Sequence, residues 1–229
     1  MTEVSSSLQE NKLPQRRLRR FWCLPFLDKL DELATQYYKL KGICLYRVLF
    51  QHFGKGSYVR RPLRIRNAKF IRIGHKVSIC DGVRLEVIQD RKDRTPQLTI
   101  GSNTNIEQNV HIICHNHVHI GSNVSITGHC CIVDVTHPFS DVHDPLKIGA
   151  RIQQDDSFVE IGDGSFIGFG AVVLPNVRLG KCVVVGSNSV VAGDFPDYSV
   201  VAGIPARIIR QYDQAQGAWV RTDTALDRR

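Results

Sequence analysis

The sequence predicts an all-β solenoid, a parallel β-helix of hexapeptide repeats with a helical cap at its amino end and one protruding loop. Isoleucine, valine or leucine recurs every six residues at Ile161, Ile167, Val173, Leu179, Val185 and Val191. An isolated helix repeats its buried face at about 3.6 residues and a strand at about 2, so a period of six needs a chain that turns a corner and restarts a short strand. The residue after each aliphatic is mostly small (Gly162, Gly168, Gly180, Gly186, Ala192), as a corner with unusual backbone dihedrals requires. The fourth residue after it is small or branched (Ser165, Ala171, Val177, Val183, Ser189), as an inward wall facing its copy one coil below requires. Coils so built stack about 4.8 Å apart and carry the aliphatics as an interior ladder.

The ladder is legible earlier, at Ile73, Ile79 and Leu85, then at Ile100, Ile106, Ile112, Ile120, Ile126 and Ile132. Two breaks interrupt it. The run from Gln89 to Gln97 is charged and holds a proline, so it reads as a loop. The break over 138–157 holds Pro138, Pro145, Gly149 and several aspartates; a loop of that length leaving a compact solenoid is functional or mobile. Ahead of the coils, Leu27, Leu30, Leu33, Tyr37 and Leu40 have helical spacing, and a second short helix fits between Ile43 and Phe53. Repeat arrays need their open ends covered, so these helices are expected to cap the first coil. The organisation that follows is a basic, flexible segment over 1–20, a helical cap over 21–56, the β-helix over 57–210, and a loosely held tail over 211–229.

At 229 residues and 42% hydrophobic the chain can bury one sizeable core. Its seven cysteines show no CxxC spacing and no signal peptide precedes them, which points to a reducing, cytoplasmic setting. Cys130 and Cys131 should face opposite sides of one strand, one in the core and one outside. Charge is local: 16 Lys and Arg against 5 Asp and Glu up to Arg72 give +11, and 14 against 17 beyond it give −3. Arg16, Arg17, Arg19 and Arg20 abut Phe21, Trp22, Leu24, Phe26 and Leu27. Such a pairing can hold a segment peripherally at the anionic inner face of a membrane, or be a solvated charge run beside a helix packed on the solenoid or a neighbouring subunit. The seven residues from Phe21 to Leu27 cannot span a bilayer. Nucleic acid is not an expected partner, since no zinc spacing, reading helix or aromatic platform accompanies the charge.

Together with the repeats, the Thr136-His137-Pro138 tripeptide and the ending Val201-Ala202-Gly203-Ile204-Pro205-Ala206-Arg207 resemble the left-handed β-helix acyltransferases, in the branch of maltose, galactoside and surface-polysaccharide O-acetyltransferases. The resemblance covers roughly 57–210, and from it comes the left-handed sense. It implies acetyl-CoA as co-substrate, no metal, a homotrimer with active sites between subunits, and a sugar or polysaccharide-precursor acceptor. His137 stands at the position of the catalytic histidine, where an imidazole titrating near neutrality can take a hydroxyl proton. Asp134 can orient that imidazole or contact the acceptor. Glu107 and His115 match acceptor-binding positions that carry an asparagine and, in the galactoside enzyme, an aspartate, so both depart from the pattern and argue against a galactoside. Gly168, Phe169, Gly186, Ser187, Ala192 and Gly193 match the pantetheine-binding edge, with Gly193 where several relatives have lysine. Arg207 and Arg210 match phosphate-binding arginines, whose fork suits phosphate oxygens.

Seven of nine histidines lie between His111 and His143. His115, His117 and His119 alternate, so the expectation is one outer face with Val118 and Ile120 inward. Two rival functions remain. N-acetyl transfer to an amino sugar or drug would favour an acidic residue such as Glu107, and a non-catalytic scaffold would need neither His137 nor the arginine pair.

Overall fold

The computed structural model describes residues 21–222 apart from Arg91 and Gln154, so the basic segment over 1–20 lies outside the described residues. A left-handed parallel β-helix occupies most of the rest. Among the described residues its strands form three sheets, two of six strands and one of nine. One coil illustrates the rule: Gln97–Ile100 lies in the first sheet, Asn105–Ile106 in the second and His111–Cys114 in the third, after which His117–Ile120 pairs in parallel with the strand where the coil began.

The ladder is the core. Ile73, Ile79, Leu85, Ile100, Ile106, Ile112, Ile120, Ile126, Ile132, Ile161, Ile167, Val173, Leu179, Val185 and Val191 are all buried. The inward hydroxyls bind the neighbouring coil: Thr104 Oγ1 donates to the Gly121 carbonyl at 3.0 Å and accepts from the Val124 N–H at 3.2 Å. The corner glycines serve a purpose other than the one expected. Positive φ falls not on the residue after the aliphatic but two later, at Asn103, Asn123, Asn176 and Asn188 among others. Gly162 is required by contact instead, since a Cβ there would lie 2.4 Å from the Gly180 carbonyl oxygen of the next coil.

At the amino end, helix α1 (Phe26–Lys41) runs through a π-helical turn (Gly42–Tyr46) into a last helical turn (Arg47–Leu49). Gly42 allows close approach: a Cβ there would come 2.9 Å from the Phe53 ring. Tyr46, Phe50 and Phe53 are buried against one another, with ring centroids 5.4 to 5.5 Å apart, and close the first coil. The helices thus cap the coil as expected, but the leucine stripe takes no part in it. Leu27, Leu30, Leu33, Tyr37 and Leu40 are exposed, because α1 turns its other side to the coil through Tyr38, Lys39 and the Asp31–Arg60 ion pair at 2.8 Å.

At the far end Ser199–Gly203 leaves the coil and pairs antiparallel with Ala206–Asp213, which pairs with Ala218–Arg221. Residues 211–213 and 218–221, within the stretch expected as a loose tail, are therefore paired in a sheet across a turn, with Trp219 against Tyr212 at 5.5 Å. On the outer face of the third sheet Glu86 is buried under Arg64, Arg66 and Arg84. Burial alone would raise its pKa, but the hydrogen bonds from Arg84 and Arg66 and the Arg84 and Arg64 charges outweigh it and hold the carboxyl below its ordinary value.

Both interruptions of the ladder leave by the same corner, between the third sheet and the first: 88–96 follows Arg84–Val87, and 134–157 follows Cys131–Val133. They brace each other through Arg94, which bonds the Asp155 carbonyl at 3.2 Å and the Asp156 carboxylate at 2.7 Å.

Candidate active site

His137 leaves the coil at the root of the long loop and is exposed. Its Nδ1 lies 2.7 Å from the Arg151 carbonyl oxygen. A carbonyl only accepts, so Nδ1 carries the proton and the neutral ring presents a bare lone pair at Nε2. Arg151 holds that carbonyl in place: its guanidinium donates to the Leu146, Asp141 and Asp144 carbonyls at 2.8, 2.8 and 2.9 Å and pairs with the Asp144 carboxylate at 3.2 Å. The returning chain is tied to the outgoing one by the Gln153 N–H to the Thr136 carbonyl at 2.9 Å. Beneath the loop opens a cleft of about 430 Å³ lined by Asp90, Asp141, Asp144 and Arg151 among others.

Asp134 does not orient His137. It is fully buried, and its two oxygens accept the backbone N–H groups of His115, Asn116 and His117 at 2.5, 2.8 and 2.8 Å. Burial pushes its carboxyl up, with those three N–H groups opposing the shift. The carboxylate shapes the tight turn between the third and first sheets. That turn also corrects the reading of His115. Sequence alternation put it on the strand with His117 and His119, but the strand starts at His117 and His115 sits in the turn, 1% exposed. Its Nε2 meets the Asp90 carboxylate at 2.9 Å, so Asp90, not the imidazole, faces the cleft. His117 and His119 remain outside, stacked at 6.4 Å. Among the described residues no group of three or more His, Cys, Asp or Glu is placed to hold a metal ion.

The remaining expected site residues fall on a different corner, between the second sheet and the third. Glu107, Thr127, Gly168 and Gly186 follow one another up that corner, joined by N–H to carbonyl bonds of 2.8 to 3.0 Å between successive coils. Glu107 is exposed and accepts the Gly128 N–H at 3.2 Å. Gly168 is fixed by packing, since a Cβ would come 2.6 Å from the Val185 carbonyl oxygen, while Phe169 projects beside it against His129 at 5.1 Å. Ser187 is exposed on the same corner. Ala192 and Gly193 belong to the His137 corner, higher up, and a Cβ on Gly193 would meet nothing within 4 Å. Arg207 and Arg210 are both exposed on Ala206–Asp213, where a register shift inserts an extra residue and breaks the alternation that would otherwise turn them to opposite sides.

Within one chain, then, the third sheet separates the predicted base, with Ala192 and Gly193 on its corner, from Glu107 and the edge of Gly168, Phe169, Gly186 and Ser187. That sheet's outer face is apolar over the middle and upper coils, where Ile113, Cys131, Val133, Val172, Leu174 and Val190 point outward half-buried. Burial raises the Cys131 and Cys130 thiols, so neither is a ready thiolate nucleophile. Sequence reasoning missed Asp90 and Arg151. The available signal was that both breaks in the ladder follow a third-sheet strand, so their residues must meet.

Fold and cleft together define a hexapeptide-repeat transferase. The family of bacterial transferase hexapeptides (six repeats) matches residues 158–193. WbbJ of Escherichia coli K12, named for lipopolysaccharide biosynthesis O-acetyl transfer, is 30% identical over 185 residues, covering 79% of this chain and 90% of its own. The galactoside O-acetyltransferase of Lactococcus lactis is 34% identical over 113 residues, 49% of each chain. Among solved structures, the N-acyltransferase AntD of Bacillus cereus, in complex with dTDP and 3-hydroxybutyryl-CoA, superposes with a TM-score of 0.62 at 21% identity, covering 75% of this chain and 88% of its own. The chain belongs to the hexapeptide-repeat acyltransferase family.

Proposed function

We propose that the protein is an acetyl-CoA-dependent O-acetyltransferase acting on a sugar hydroxyl of a surface-polysaccharide precursor. The observation that carries the chemistry is the 2.7 Å contact of His137 Nδ1 with the Arg151 carbonyl, which leaves Nε2 as the basic nitrogen. Nε2 takes the acceptor hydroxyl proton as its oxygen attacks the thioester carbonyl. The tetrahedral intermediate collapses, the carbon–sulfur bond breaks, and the imidazolium returns the proton to the departing thiolate. General-base help of this kind is worth about 10² to 10⁴ in rate.

The site is completed between subunits of a homotrimer. Two features support this: the base and the edge of Gly168, Phe169, Gly186 and Ser187 stand on different corners of one chain, and the sheet between them is apolar on its outer face. A neighbour seated on that face brings its own corner to His137. CoA lies between Gly168, Phe169, Gly186 and Ser187 of one subunit and Ala192 and Gly193 of the next, with its phosphates on Arg207 and Arg210. Glu107 and Asp90 are the acceptor-contacting carboxylates, Asp90 taking the place first expected of His115. The O-acetyl reading is favoured over N-acetyl transfer by the likeness to WbbJ over most of both chains.

The test is a mass-shift screen. The protein is incubated with acetyl-CoA and paired acceptors, sugar alcohols against the matching amino sugars. Addition of one acetyl group to alcohols, abolished in His137→Ala, is the expected result; acetylation of amines alone overturns it.

A further inference from the structure

The apolar side of α1 has no partner among the described residues. Phe26, Leu30, Leu33, Tyr37 and Leu40, continued by Val48, form a stripe at helical spacing whose members are 47% to 81% exposed, and Trp22 at its amino end is 70% exposed. Single exposed apolar residues are ordinary; a stripe along a whole helix marks an interaction surface. The opposite side of the same helix is occupied, with Arg60 bonded to Asp31 and lying over the Tyr38 ring.

Charge says what covers the stripe. From Phe21 to Arg72, the helix and the first coils, the sequence carries 11 Lys and Arg against 3 Asp and Glu, a balance of +8. Arg61, Arg64 and Arg66 on those coils are more than half exposed. The chain that leads into Phe21 adds Arg16, Arg17, Arg19 and Arg20. No helix among the described residues is long and apolar enough to cross a membrane. An exposed apolar helix face in the most basic part of the chain, too short to span, fits an anionic bilayer surface.

We propose that α1 lies in the interface of an anionic membrane, its stripe in the acyl boundary and the surrounding arginines on lipid phosphates. The fold then orients the site. Arg60, which bonds Asp31 on the helix, and Arg61, which bonds Asp81, begin the corner that continues to Glu107, two coils or about 10 Å further along. Gly168 and Gly186 stand higher still on the same corner. Resting on the acceptor assignment above, the acceptor end of the site faces the membrane and the coenzyme end faces away from it. The acceptor class this suits is a sugar carried on a lipid.

The experiment is sedimentation of the full chain with vesicles of phosphatidylcholine, alone or with phosphatidylglycerol, at low and high salt. It needs no turnover, so it stands or falls apart from the acetyl-transfer reading. The wild type should pellet with the anionic vesicles. Leu33→Asp with Leu40→Asp, both at exposed positions, should lower the partition coefficient on the order of 10². Replacing Arg16, Arg17, Arg19 and Arg20 by Gln should weaken pelleting at low salt and leave little difference at 1 M, where the Debye length is about 3 Å. Independently of variant folding, Trp22 emission in a Trp219→Phe background should shift to the blue on adding anionic vesicles. Absence of wild-type pelleting, an aspartate variant that pellets as wild type, or an unmoved Trp22 spectrum overturns the proposal. So does an aspartate variant whose light-scattering mass falls to one chain, because the stripe is then a subunit contact.

Discussion

Replacing Arg151 by alanine should disable the base without touching it. The carbonyl that fixes the His137 tautomer belongs to the Arg151 backbone and survives the substitution, but what positions it is the guanidinium, 11% exposed, with three carbonyl bonds and an ion pair to Asp144. Charged hydrogen bonds are worth about 1.5–3 kcal/mol each when buried. These carbonyls lie in a loop that water reaches once it opens, so about 1 kcal/mol each is the fitting value, or about 3 kcal/mol in total. At about 1.4 kcal/mol per factor of ten, the ratio of ordered to open loop falls on the order of 10². Turnover should fall by between ten- and a hundredfold, with the KM for acetyl-CoA little changed. The melting temperature should hardly move, because the loop lies outside the aliphatic ladder. Arg151→Lys should recover little, since an ammonium cannot present a planar fork to three carbonyls. A ring-nitrogen NMR spectrum supplies the readout a merely structural role would not move: His137 should change from a defined Nδ1–H tautomer to an averaged one. A variant with wild-type turnover, or one that slows turnover while the tautomer stays fixed, would refute the reasoning, as would full additivity with His137→Ala.

Further outcomes follow from the same geometry. His137→Ala should keep the fold and CoA binding while lowering kcat by about 10² or more, read from initial rates and a CoA titration. Arg207→Ala should chiefly raise the KM for acetyl-CoA, with kcat near wild type. Light scattering should give three times the mass of one chain, and a fully active monomer would contradict a site shared between subunits. Glu86 predicts an acid limit: its folded pKa lies below the ordinary carboxylate value, so its contribution is complete above about pH 4.3 and is lost as pH falls through the lowered value. Melting curves should therefore show Glu86→Gln less stable at neutral pH and less sensitive to acid than wild type, because the loss of three arginine contacts is already built in.

The coils were legible because their cause is periodic. Each rung from Ile73 to Val191 meets the same environment, so one chemical demand repeats at a fixed spacing and even the positions of the corners can be counted. His137 was legible through its tripeptide at the mouth of a long break. What supports it was not, because loop residues obey no period: Arg151 lies fourteen residues away in a segment whose path depends on the bonds that Arg151 itself makes. His115 shows the limit of alternation. The pattern His115, His117, His119 reads as one strand face, yet Asp134 binds three consecutive N–H groups and bends the chain before the strand starts, which turns His115 inward. A single buried carboxylate outweighs a two-residue period, and nothing local announces where its oxygens will point.

What the helix stripe meets is not legible for a related reason. Helical spacing tells which residues share a face, not what the face meets, and the default partner of an apolar face is the protein's own core. Here the core is already closed by Tyr46, Phe50 and Phe53, three aromatics that fill the end of the first coil. A coil of three short strands offers an end too small to bury a long helix as well, so α1 can touch it only along one side. The side it turns inward is the one with Asp31, Tyr38 and Gly42, which match Arg60 and Phe53 in charge and shape. The leucines are left outside by that choice, on the most basic part of the chain. A sequence that needed only a cap had no use for a second apolar face, and its presence is the physical reason to look for a surface beyond the described residues.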